Sequence, residues 1–161
     1  MAERTVVNAS PLILLTRGGW LHLLQLAGEE IVVPLGVADE IQRRGSADLT
    51  VQALSRTPWL VIVTTPPIPA LIHAWDLGPG ESSVLAWAYT YPGTEAIVDD
   101  LPARRCAAAL GIPVRGTLGL VLTAKQRWIL PAARPVVEQL RRTGMYLSHD
   151  VVRQALALVG E

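Results

Sequence analysis

The sequence predicts an α/β fold: a central, mainly parallel sheet flanked by helices, closed by a helical C-terminal tail. Three observations lead there. Short strand-like apolar runs alternate with helix-length segments up to Arg115. No internal repeat or low-complexity linker interrupts that alternation. Beyond it the chain reads as helices alone.

The strands are expected at Arg4–Asn8, Glu30–Val33, Leu60–Thr64, Glu95–Asp99 and Ile112–Arg115, each rich in β-branched or small apolar residues. A first helix begins at Ser10 or Pro11 and runs through Thr16; "GWLHLLQLAG" reads as a second, ended by Gly28. Pro34 opens "LGVADEIQRRG", which Gly45 stops, and "ADLTVQALSR" is closed by Pro58. Pro79 starts the helix of "LGPGESSVLAWAYTY", with Val84, Leu85 and Ala88 on one face. Pro102 to Leu110 forms another, ended by Gly111, and Thr117 caps "LGLVLTAKQRW". The tail holds two helices parted by Gly144, the last capped by Ser148.

Composition narrows the function classes. At 161 residues, half of them apolar and 17% charged, the chain fits a single domain, 1–161, with a real core. No apolar run approaches the roughly 20 residues that span a bilayer, so no membrane association is expected. Glu3 and Arg4 with no long apolar stretch behind them argue against a signal peptide. A lone cysteine, Cys106, supplies neither a disulfide nor a thiolate cage, and it sits in an Ala-rich helix as inert core. A cytoplasmic protein is the expectation. Its mean hydropathy of +0.34 further suggests a homodimer, with the helices after "VRGTLG" as the contact.

Zero net charge conceals a split. Residues 1–100 hold 5 Lys/Arg against 11 Asp/Glu, and residues 101–161 hold 9 against 3. An acidic half that holds cations and a basic half that faces phosphates would produce this pattern. So would two halves that attract each other, or a partner.

The informative carboxylates fall where an α/β sheet concentrates function, at the C-terminal edge of its strands. Asp99 and Asp100 end the run "EAIV", Glu81 lies in the first turn after "GPG", and Glu40 is mid-helix beside Ile41. Asn8 ends the first strand, with Ser10 two residues on. Each has an ordinary role open to it: helix cap for Asp99 or Asp100, dipole partner for Glu81, solvated surface for Glu40, turn chemistry for Asn8 and Ser10. Together, oxygen ligands from separate elements suit Mg²⁺ or Mn²⁺. Arg104 and Arg105, close after Asp99, are candidates for holding a nucleic-acid backbone, with Arg115, Lys125 and Arg127 extending the basic half. Trp20, Trp59, Trp75, Trp87 and Trp128 replace the absent Phe as core fillers, with base stacking open to one of them. His22, His73 and His149 show no ligand spacing. There is no GxGxxG, no GxxxxGK[ST] and no Gly-x-Ser-x-Gly, which argues against nucleotide cofactors and against an α/β-hydrolase.

The succession "VVNASPLI", "VPLGVADEI", "LGPGESSVLAWA" and "AIVDDLPARRCAAALGIPVRGTLGLVLTAK" resembles a PIN domain. Within that family it is most similar to a branch of unknown function related to VapC-type toxins. The likeness runs from Val6 to the final "LSHDVVRQALALVGE". It implies a Rossmann-like fold and a Mg²⁺- or Mn²⁺-dependent endoribonuclease, the toxin of a toxin–antitoxin pair whose antitoxin covers the acidic pocket. By position, Asn8 stands at the family's first acid, Glu40 at the second, Glu81 at the third and Asp99 at the fourth, as catalytic and metal-holding residues. Asp100 is a neighbouring or alternate ligand, and Ser10 matches the hydroxyl that supports the first acid. The interval from Glu81 to Asp99 fits the family's helix-then-strand geometry.

Asn8 is the departure. A carboxamide oxygen can ligate a cation without contributing charge, so weaker metal binding is expected than from four carboxylates. A PIN-fold module that binds RNA or a protein without cleaving is the alternative this opens. A small-molecule phosphate-handling enzyme is the third reading.

Overall fold

Residues Arg4–Val7 (β1), Ile31–Pro34 (β2), Leu60–Val63 (β3), Thr94–Ile97 (β4) and Val114–Arg115 (β5) form one sheet in the order β3-β2-β1-β4-β5, with every neighbouring pair parallel. This is the arrangement in the computed structural model, which describes residues 4–161. Glu3, part of the reading of the N-terminus, lies outside them. Parallel strands need crossovers, and the chain supplies helices for them.

The helices are Ala9–Gly18 (α1), Leu35–Gln42 (α2), Leu49–Arg56 (α3), Ala70–His73 (α4), Pro79–Thr90 (α5), Leu101–Ala109 (α6), Thr117–Gln126 (α7), Arg134–Arg142 (α8) and His149–Ala157 (α9). Helix α5 lies against β1, β2 and β4. Its Val84, Leu85 and Ala86 are buried there, so the apolar face extends beyond the three residues expected. Helix α1 packs with α2, α3, α7 and α8. The tail is tied down by Gln139, which accepts from the Trp20 indole N–H at 3.0 Å and donates to the Gly18 carbonyl at 3.2 Å. Among the described residues no helix is long and apolar enough to cross a membrane.

Local chemistry explains the element ends. Asp48 caps α3 by accepting from the Thr50 and Val51 N–H groups, and Ser148 caps α9 through Val151 N–H. Gly144, at φ 116°, separates α8 from α9 as expected.

Several expectations need correction. "GWLHLLQLAG" forms a 3-10 helix over Leu21–Leu26 instead of an α-helix. Thr117 is the first residue of α7, not its cap; the cap position is Gly116, and the threonine hydroxyl is engaged elsewhere. The short α4, in a Pro-rich stretch, had no periodicity to reveal it. Trp20, Trp59 and Trp87 pack against the core, whereas Trp75 is 40% and Trp128 86% exposed. Arg115 is not available to a phosphate: its guanidinium pairs with Glu95 at 2.7 Å. Lys125 likewise donates to the Pro131 carbonyl. Cys106 is buried as expected, and burial pushes its thiol pKa up.

Candidate active site at the switch point of the sheet

The strand order reverses at β1, which has β2 on one side and β4 on the other. A reversal of this kind opens a crevice beyond the strands' C-terminal ends, since successive connections depart in opposite directions. Val7 pairs with Ile97, and the Asn8 N–H donates to the Ile97 carbonyl at 3.0 Å. Asn8 and Asp99 therefore leave adjacent strands at nearly the same level, on either side of that crevice.

Asn8 occupies the N-cap position of α1, yet its side chain makes no capping bond. The residue is 2% exposed, and its Oδ1 is a buried oxygen with no hydrogen-bond partner. Asparagine is among the best capping residues, and a buried acceptor without a partner costs about 1–3 kcal/mol. This amide is held for something other than the helix.

Gly80 shows what Asn8 faces. A Cβ on Gly80 would stand 3.3 Å from Asn8 Oδ1 and 2.9 Å from Glu40 Oε2, so both oxygens crowd the same spot beside the first turn of α5. Glu40 reaches it because α2 approaches α5 closely at Gly36, where a Cβ would be 3.0 Å from the Ser83 hydroxyl. The residue as a whole is exposed, with its carboxyl end lying over Gly80. Burial of that end raises its pKa, the Glu81 charge raises it further, and Arg43 pulls in the other direction. Glu81 folds back over the start of α5, with Oε2 2.7 Å from where a Gly78 Cβ would be. There it meets the positive end of the helix dipole.

Asp99 is fixed by α7. One carboxylate oxygen accepts the Thr117 N–H at 2.7 Å and the other the Thr117 hydroxyl at 2.7 Å. Asp100, next in the chain, is the N-cap of α6 and accepts from Ala103 N–H at 3.0 Å. The two neighbours have divided the work, and Asp99 is the one spared from capping α6. Glu81, Asp99, Asp100 and Ser10 line a cleft of about 440 Å³. Asn8 and Glu40 are not on its wall, so the expected single pocket is two adjoining groups of oxygens linked through Glu81.

A family model described as a PIN domain matches residues 4–161. The chain belongs to the PIN-domain family. No curated protein matches it, and no solved structure does. The all-parallel sheet between helices agrees with a PIN-like fold, the fold of a family of nucleases.

The oxygens of this PIN domain are chemically suited to a hard divalent cation: an amide oxygen with no protein donor beside the Glu40 carboxylate of α2, which in turn feels the Glu81 charge of α5. Among the described residues no three Asp, Glu, His or Cys side chains are gathered tightly enough to form a finished cage. An open set of that kind leaves coordination positions to water and phosphate, as Mg²⁺ prefers. Of the two candidate arginines, Arg104 turns inward, donating to the Val98 carbonyl at 3.0 Å, while Arg105 is exposed on α6. The residues that sequence reasoning missed are Gly36, Gly80 and Thr117. A glycine's role in a close approach and a threonine's in orienting a distant aspartate leave no local periodic signal.

Two predictions arise here. Because the Glu40 pKa is higher in the folded protein than in the unfolded chain, ionising Glu40 costs stability. That cost is absent below the ordinary glutamate range and complete above the raised value. Glu40→Gln is therefore expected to raise the Tm of metal-free protein at neutral pH and to leave it unchanged at low pH, checked by thermal denaturation across pH. Gly80→Ala is expected to weaken Mn²⁺ binding about tenfold or more, because the new methyl takes the space between Asn8 and Glu40. A helix-propensity gain of about 0.5–1 kcal/mol offsets the crowding, so Tm moves little. Isothermal titration with Mn²⁺ alongside calorimetric melting checks both halves.

Proposed function

We propose that this chain is a Mg²⁺- or Mn²⁺-dependent endoribonuclease, the toxin of a toxin–antitoxin pair, acting as one domain over residues 1–161. The observation that carries this reading is Asn8: a buried amide oxygen, unused by the helix it caps, beside Glu40 at the switch point of a PIN-family sheet. Asn8 and Glu40 in one group and Asp99 in the other, with Glu81 between them, would hold the metal, with Asp100 at the margin. When bound, such a cation supplies charge stabilisation at the scissile phosphate and lowers the pKa of its water.

The chain's own groups do the positioning. Thr117 holds both oxygens of Asp99 in one orientation, so the carboxylate faces the cleft without rotating. Ser10, in the first turn of α1, lines the same cleft and would offer its hydroxyl to a phosphate oxygen there. Arg105 offers an exposed cation to the RNA backbone, and Arg104 places a second charge beside Asp99. An antitoxin would inhibit by covering the cleft. Cytoplasmic action and a homodimer complete the proposal, with the exposed Trp128 and Ile129 after α7 as candidates for the dimer contact.

The test is incubation of a mixed structured and single-stranded RNA pool with Mn²⁺, with Mg²⁺ and with EDTA, with Asp99→Asn alongside. Metal-dependent product that vanishes in the variant supports the reading. RNA binding with no product favours the second reading, a binding module in which the uncharged Asn8 has cost catalysis.

A further inference from the structure

Besides its carboxylates, the cleft has a largely apolar lining from Leu14, Leu118, Met145, Tyr146 and Leu147. Its last three residues belong to the connection between α8 and α9. Met145 and Leu147 pack against the core, whereas Tyr146 between them is 93% exposed. Side chains of an extended segment alternate in direction, and here the two inward neighbours anchor the tyrosine outward. Gly144 turns the chain into this segment at φ 116°, and Ser148 ends it by capping α9. Of the other tyrosines, Tyr91 packs against Trp87 with ring centroids 4.3 Å apart and Tyr89 is only 44% exposed. Tyr146 alone is displayed in the cleft that holds Glu81 and Asp99.

An exposed aromatic ring at a cleft is a stacking platform, since every nucleobase has a π-face to lay on it. Stacking needs a base out of its helix, which single strands and loops supply and duplexes do not.

We propose that Tyr146 is a base-stacking residue: an unpaired base of a strand bound in the cleft lies on its ring. This rests on the reading of the cleft as a nucleic-acid site and adds a specificity element to it.

The test is fluorescence anisotropy with a short labelled single-stranded RNA, the same RNA carrying one abasic position placed in turn along it, and its duplex. Measurements in EDTA and in Ca²⁺ separate binding from cleavage. Tyr146→Ala is expected to weaken binding of the intact strand about tenfold or more, with Tyr146→Phe close to wild type. At one abasic position, wild type should lose a comparable factor and Tyr146→Ala should lose nothing further. Unchanged Tm in both variants is expected from a side chain so exposed.

Equal binding by wild type and Tyr146→Ala overturns the proposal and leaves the ring to a protein partner. So does an equal loss at every abasic position in both proteins, a preference for duplex, or no RNA binding at all. Cleavage that survives with no Tyr146 effect sinks the stacking role alone. A Tyr146-dependent base effect in a protein that never cleaves supports stacking while the nuclease reading fails.

Discussion

Asp99→Asn is expected to lower RNA cleavage by at least about a hundredfold in a protein that still folds. The exchange is nearly isosteric. The carboxamide oxygen can still accept the Thr117 N–H, and its NH₂ can donate to the threonine hydroxyl that formerly donated to it. What disappears is the charge, so stability should stay within about 1 kcal/mol of wild type while cation binding falls. Thr117→Val separates orientation from charge. It removes the hydroxyl donor, leaves Asp99 ionised with one anchored oxygen, and should weaken metal affinity about 10–100-fold; Thr117→Ser should restore it. Mn²⁺ titration with cleavage assays on the same preparations reads all three. Wild-type cleavage by Asp99→Asn would remove the carboxylate from the mechanism altogether.

Asn8→Asp is expected to move stability and metal affinity in opposite directions. The oxygen at this position is buried and lies beside Glu40, whose pKa is already raised by burial and by Glu81. A second carboxylate there adds like-charge repulsion and desolvation, costing the metal-free protein about 1–3 kcal/mol. The same repulsion is relieved when a divalent cation binds, so Mn²⁺ affinity should rise about tenfold or more. The measurable signature is a lower Tm in EDTA with a larger upward shift on adding Mn²⁺ than wild type gives. An unchanged affinity would mean that Asn8 is not a ligand and that its orphaned oxygen has another purpose.

The layout of the sheet was legible because its signals are local: β-branched runs, Pro at helix starts and Gly at their ends. Bounds slipped by one or two residues, as at the end of β4 and the start of β5. Asn8 and Asp100 both stand just outside helices, and either could have continued its strand. The 3-10 segment Leu21–Leu26 carries a helical apolar pattern, and periodicity does not distinguish so short a helix from an α-helix. The site residues were nameable from their order and the family likeness. Their grouping was not, because it depends on how near α2 comes to α5, and that is set by Gly36 against Ser83. The tryptophans misled in part, since a large apolar ring reads as core wherever it stands, and Trp128 follows its helix in a left-handed conformation that carries it outward. Tyr146 is the converse, an aromatic whose meaning comes from a carboxylate distant in sequence.

The reversal of strand order at β1 has a consequence for the order in which the crevice is assembled during synthesis. Asn8 is made well before β4, which its backbone N–H joins, because three crossovers intervene. Thr117, which orients Asp99, is made later still. A nascent chain shorter than that carries every acidic residue of the group and no assembled centre. The crevice is therefore completed only once β5 and α7 have been made, and any chemistry it performs waits for them.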